Sequence, residues 1–282
     1  MIRLCAFSDE ASSSLSGQIQ ALKRNEISLT ELRSVDGKNV KQLTHDEAKQ
    51  VCETLSDNGI SVWSVGSPLG KTDINVNIKE YLEEVKRVCE LACILKSYKI
   101  RIFSFFNAYG ERNKVFDYLN QMVEVAKTFN VSLYHENEKE IYGDTAERVL
   151  DIMNNVSGLK YVYDPANFIQ VGENALKTLE LLHSKTDYFH IKDAIASSGE
   201  IVPAGYGDGQ ILKLIQMIKK DIVLTVEPHL TVFDAYSDID KTQLKTRFIY
   251  ENQNNAFDVA VSGLKKIIAK ANANFCNDKK AD

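Results

Sequence analysis

Eight times along this chain a short run rich in Val, Ile, Phe and Tyr gives way to a longer amphipathic stretch. Strands that alternate with helices pair in parallel, because each helix carries the chain back to the starting edge of the sheet. The candidate strands are Ile2–Phe7, Ile27–Arg33, Ile60–Gly66, Lys99–Phe105, Val131–Glu136, Leu159–Asp164, Tyr188–Lys192 and Ile222–Glu227. Helical periodicity falls near 14–25, 44–58, 77–97, 111–129, 144–155, 173–185, 209–220 and 252–270. Eight such units suit a closed (β/α)8 barrel, with a doubly wound open sheet as the competing α/β arrangement. No glycine-rich dinucleotide fingerprint follows the first strand, which runs into Ser8-Asp9-Glu10-Ala11. Charged residues instead crowd the carboxyl ends of successive strands, where barrel enzymes build their sites. The expected fold is therefore a single (β/α)8 TIM barrel over residues 1–271. A polar tail over 272–282 is expected to fray.

Four of those strand ends carry metal-ligating side chains. The fifth strand ends Tyr134-His135-Glu136-Asn137-Glu138 and the sixth Tyr163-Asp164-Pro165-Ala166-Asn167. The seventh holds His190-Ile191-Lys192-Asp193, and the eighth ends Glu227-Pro228-His229. Glu136, Asp164, His190 and Glu227 are separated by 28, 26 and 37 residues, about one βα unit or slightly more each time. In a closed barrel they would converge on one side of the mouth. Three carboxylates and an imidazole suit one divalent cation of intermediate hardness, Mn²⁺ first, with Mg²⁺, Co²⁺ or Zn²⁺ also accommodated. Helix capping would explain any one of the carboxylates alone, but not all four ligands at this spacing.

These strings resemble the xylose isomerase-like barrel superfamily, in particular a bacterial branch of sugar phosphate isomerases/epimerases, across nearly the whole chain. The resemblance implies that Glu136, Asp164, His190 and Glu227 bind one divalent metal, and that the two glutamates also transfer protons. It implies a metal-stabilised enediolate, with Glu136 and Glu227 as base and acid on a small carbohydrate. Ketose epimerases of the superfamily often carry His three residues after the metal-binding Asp. Here that residue is Asn167, a departure that withholds any particular ketose. A dehydratase of a keto-sugar or keto-inositol, a metal-dependent phosphodiesterase and a non-catalytic sugar-binding barrel stay open as alternatives. The superfamily's trinuclear zinc endonuclease of abasic DNA needs more histidines than the five present.

Further residues are candidates for holding substrate: Asn167, Lys192, His229, Arg33 and Lys71. Lys192 lies two after His190 and so points the same way on a strand; a salt bridge is its competing role. Arg33 could hold a substrate oxygen or pair with Glu31. Lys71, in the turn after the third strand, could meet an anion or be solvated. His135 is expected to pack, because it faces away from the neighbouring ligand. The run Gly205-Tyr206-Gly207-Asp208-Gly209 could offer backbone amides to a phosphate, or be a turn with Asp208 as a helix cap. The long Asp234–Thr246 connection could be a lid or an oligomer contact, and a homo-oligomer fits the superfamily.

Composition narrows the setting. With 34 basic and 39 acidic residues the chain carries a net charge of −5, against the basic excess of a nucleic-acid-binding surface. No run approaches the roughly 18 apolar residues of a membrane span. Asp9-Glu10 arrives too early for a secretory leader. Five scattered cysteines, at 5, 52, 89, 93 and 276, make a poor disulfide framework and are expected as reduced thiols. A cytoplasmic setting is the expectation that follows.

Overall fold

The computed structural model describes residues 1–233 and 244–278, with side chains through residue 272. Eight parallel strands close into a barrel: β1 (Ile2–Ala6), β2 (Leu29–Leu32), β3 (Ser61–Gly66), β4 (Lys99–Ile102), β5 (Ser132–Glu136), β6 (Lys160–Tyr163), β7 (Tyr188–Ile191) and β8 (Ile222–Val226). Each pairs with its sequence neighbours, and β1 closes the ring onto β8 from Ile2↔Ile222 to Ala6↔Val226. This is the (β/α)8 TIM barrel expected from the alternation.

Alternate residues of each strand face opposite sides. Inside the barrel Cys5, Leu29, Tyr134, Val162, Tyr188 and Val223 pack with Trp63 as an apolar floor. The opposite faces, among them Ala6, Leu32, Ile100 and Leu133, pack under the surrounding helices. The interior residues one and two pleats above the floor are the charged ones, so strand periodicity alone stacks a polar site on an apolar plug.

The helices are α1 (Leu15–Arg24), α2 (His45–Asp57), α3 (Ile78–Ile94), α4 (Arg112–Thr128), α5 (Ala146–Asn155), α6 (Pro165–Gln170), α7 (Ala175–Leu182), α8 (Ile211–Met217) and α9 (Gln253–Asp278). Side-chain caps start many of them: Ser14 for α1, Asn77 for α3, Thr145 for α5, and a Thr44/Glu47 capping box for α2. Helix α9 runs on through 272–278, which composition alone assigns to a polar tail.

Several elements differ from the periodicity reading. Strand β4 stops at Ile102 because Phe103 and Phe105 donate their amides to Leu69 and Gly70, on the loop after β3. A hairpin of Ser34–Val35 with Lys38–Asn39 follows β2, turning at Asp36-Gly37, both at positive φ. A second hairpin joins Asp193–Ala194 to Ile201–Val202. Helix α6 opens directly at the end of β6, with Asp164 as its cap and Pro165 in its first turn. Cys5, Cys52 and Cys89 are buried, Cys93 is part-buried, and all four are free thiols. Of the Asp234–Thr246 connection, residues 234–243 lie outside the described residues, as do residues 279–282 of the tail.

Candidate metal centre

Glu136 is the last residue of β5, and Asp164, His190 and Glu227 stand at the mouth ends of β6, β7 and β8. All four are buried, and each offers one ligating atom within 4.8 Å of the others. His190 Nδ1 lies 2.9 Å from Glu136 Oε1 and 3.1 Å from Glu227 Oε2. The two oxygens of Asp164 are divided. Oδ1 caps α6 by accepting from the amides of Ala166 and Asn167 at 2.8 and 3.1 Å. Oδ2 turns to the centre, 3.1 Å from Lys192 Nζ. Capping and site-facing are thus two jobs of one carboxylate.

The donor set fits a divalent cation. Asp164 Oδ2 and Glu227 Oε2 are buried and accept no well-directed hydrogen bond. Two carboxylates, Glu136 and Glu227, stand against His190 Nδ1, and Asp164 completes the group within 4.8 Å, a cage that suits either a proton or a metal ion. The electrostatics express the same excess. Burial opposes protonation of His190, but Glu136, Glu31 and Glu227 hold it well above the ordinary histidine range. Burial pushes the Asp164 carboxyl up to about 7, against the pull of Lys192. Glu227 is held well below the usual range, because Lys192 and His190 outweigh its burial.

A surrounding shell fixes these side chains. Glu31, from β2, stands 3.1 Å from His190 Nε2, and accepts from Tyr188 Oη at 3.0 Å and Thr225 Oγ1 at 3.2 Å. A carboxylate on Nε2 orients the ring and turns Nδ1 towards the cluster. Arg101, from β4, reaches Glu136 Oε2 at 3.4 Å. Arg33 binds Asp9 through two nitrogens at 2.9 and 3.0 Å, Glu10 at 3.2 Å and Glu227 at 3.1 Å. It also stacks on Phe7, 4.3 Å from the ring centre. Arg33 therefore bridges Glu10 and Glu227, two members of a second group, Glu10, Glu227 and His229, that shares Glu227 with the first. Burial raises Glu10 to about 8 despite that arginine.

The other candidates fall at graded distances. Lys192 is buried against Asp164, so the salt bridge expected as its competing role forms, to the end of the neighbouring strand β6. Asn167 donates to the Asn137 carbonyl at 2.8 Å and to Glu136 at 3.4 Å, and its buried Oδ1 has no partner among the described residues. His229 sits at φ +45°, with its amide donating to Glu10 at 2.8 Å and its ring 3.4 Å from Glu227. Lys71 pairs with Glu138 at 2.9 Å beside Phe103. His135 faces away, as its position next to Glu136 requires. It bonds Ser104 Oγ at 3.0 Å, and burial lowers it to about 3, so it is neutral. Arg101, Asp9 and Glu10 escaped the sequence reading. For Arg101 the signal was a charge on an otherwise apolar strand, visible in Lys99-Ile100-Arg101-Ile102, whereas Asp9 and Glu10 lie in the turn Ser8–Glu10 after β1.

The glycine-rich loop after β7 is anchored from within. The Asp193 carboxylate accepts from Gly205, Gly207 and Gly209 at 2.8, 3.1 and 2.8 Å, and from Ala194 at 2.9 Å. Asp208 does not cap α8; it accepts from the amide of Ala196.

Residues 20–241 match the family model described as xylose isomerase-like TIM barrel. No curated protein matches the chain. Among solved structures the chain is similar to an L-ribulose 3-epimerase, at 15% identity and TM-score 0.74, covering 97% of each chain. It is similar to the probable 3-DHS dehydratase AsbF of Bacillus anthracis, at 16% and 0.71, covering 94% of this chain and 99% of that one. It is also similar to the IOLI protein with a bound zinc atom, at 16% and 0.71, covering 95% and 99%. At such identities the likeness carries the fold.

Proposed function

The chain belongs to the xylose isomerase-like TIM barrel family, and we propose that it is a divalent-metal-dependent isomerase or epimerase of a sugar or sugar derivative. The observation that carries this reading is the buried convergence of Glu136, Asp164, His190 and Glu227. Two of the four are glutamates from strands that are not neighbours, β5 and β8. Binding alone does not call for such a pair, whereas proton transfer beside a carbonyl needs one group to take a proton and another to return it. Mn²⁺ is the proposed ion, and the same donors accept Mg²⁺, Co²⁺ or Zn²⁺. When bound, the ion would polarise the carbonyl and offset the negative charge that develops on proton removal.

The protein's own groups do the rest. Glu136 and Glu227 hold and move the proton, each positioned by an arginine, Arg101 and Arg33 respectively. Lys192 opposes the effect of burial on Asp164 from 3.1 Å and would place positive charge beside the reacting carbons. Asn167 Oδ1, buried and without a partner among the described residues, would accept from a sugar hydroxyl. His229, at the rim beside Glu227, offers a second polar contact. Two-carboxylate transfer from opposite faces gives epimerisation, and shuttling by one group between adjacent carbons gives isomerisation. A dehydratase is the second reading, supported by the likeness to AsbF.

The test is a panel of ketoses, keto-inositols and sugar phosphates with Mn²⁺-loaded protein, followed by NMR for solvent-proton exchange and product. Glu136→Gln and Glu227→Gln should each abolish exchange while the protein stays folded. Near-normal exchange in both variants would sink the assignment, and loss of water from the product would select the dehydratase.

A further inference from the structure

The charges around the candidate centre bear on what it can take. Three buried cations face the mouth, and each already has a carboxylate: Arg33 with Asp9, Glu10 and Glu227; Arg101 with Glu136; Lys192 with Asp164. The part-buried Lys71 has Glu138. Each of these four cations thus already faces a carboxylate of the protein itself. A phosphate or carboxylate on a substrate would therefore have to compete with these carboxylates for any of the four cations.

A further anion-binding device among the described residues is occupied by the protein itself. Turning amides that converge on one point make a nest for an oxyanion. Here the four amides of Ala194, Gly205, Gly207 and Gly209 converge on the Asp193 side chain. The fit is close: a Cβ built on Gly207 would lie 2.4 Å from Asp193 Oδ1, and one on Gly209 2.6 Å. Asp193 is itself 1% exposed, so no external anion reaches those amides while it is in place.

We infer that the substrate of this site is uncharged, a polyhydroxy carbonyl compound without phosphate or carboxylate, and that Asp193 is the resident anion of the loop that would otherwise bind one. This rests on the sugar isomerase/epimerase reading for the site, and on the loop geometry alone for the nest. The Mn²⁺-loaded protein should exchange solvent protons into a free ketose at least about tenfold faster, per kcat/KM, than into the phosphate ester of the same ketose. Faster turnover of the ester, or of a carboxylated analogue, overturns the inference. Exchange into neither compound would fail the isomerase reading and pass the decision to the nest. There the probe is inorganic sulfate, read by thermal melting of the Mn²⁺-loaded protein against chloride at equal ionic strength. Wild type should show no sulfate-specific shift, and Asp193→Ala, with its amides released, should gain one. A sulfate shift in wild type that Gly207→Ala removes, or a folded Asp193→Ala without any shift, overturns the assignment. If Asp193→Ala does not fold, the wild-type melts and the ketose-to-ester ratio decide.

Discussion

At the scale of single residues, the centre is governed by who holds each charged group. Glu31 holds His190 by its Nε2 and is itself gripped by Tyr188 and Thr225, so the ring cannot turn its Nδ1 away from Glu136 and Glu227. Glu31→Gln should weaken Mn²⁺ binding by about 10- to 100-fold, measured by isothermal titration, with secondary structure retained. Unchanged affinity would remove Glu31 from the centre. His135, one residue from Glu136, illustrates the opposite environment. Burial lowers it to about 3, so it stays neutral in the fold while the unfolded chain takes a proton near pH 6.5. Below that pH the unfolded state binds the extra proton, so stability falls as pH drops from about 6.5 towards 3. From pH 6.5 to 5 this one group should cost about 1.7 kcal/mol. Urea melts of wild type and His135→Asn should differ by that amount in their pH dependence.

At the scale of elements, strand ends and the loops behind them decide what reaches the mouth. The positions of Glu136, Asp164, His190 and Glu227 were legible because a strand's two-residue period and a βα unit's length are local properties. Partners such as Arg101 and Asp9 were not, because an inward charge reads as tolerable only when its countercharge on another strand is known. The glycine-rich loop was legible as an amide-rich turn, but its occupant was not, since Asp193 precedes Gly205 by a whole hairpin. Gly207→Ala should destabilise the protein by about 2 kcal/mol, because its Cβ would stand 2.4 Å from Asp193 and 2.5 Å from the Ala194 carbonyl. Gly263→Ala, within α9 and with open space around its Cβ, should instead stabilise by about 0.5–1 kcal/mol. Thermal melts of the pair test whether crowding or helix propensity governs each site.

At the scale of the whole molecule, the closed ring of eight parallel strands brings β5 through β8 to one side and stores carboxylate repulsion above an apolar floor. A divalent cation should relieve that repulsion and stabilise the native state by mass action. Adding Mn²⁺ to chelator-treated protein is expected to raise the melting temperature by several degrees. Asp164→Ala should lose most of that gain, and an unchanged melt in wild type would argue against a metal at this centre. Among the described residues no helix is long and apolar enough to cross a membrane, in line with the short apolar runs of the sequence. The eightfold alternation and the spacing of Glu136, Asp164, His190 and Glu227 were determined by the amino-acid order, because periodicity, capping and unit length act between near neighbours. Which carboxylate pairs with which cation, and that Asp193 fills its own loop, was decided only when the barrel closed. Arg33 and Glu227 are 194 residues apart in sequence, and their 3.1 Å contact exists because β1, joining β2 and β8, completes the ring.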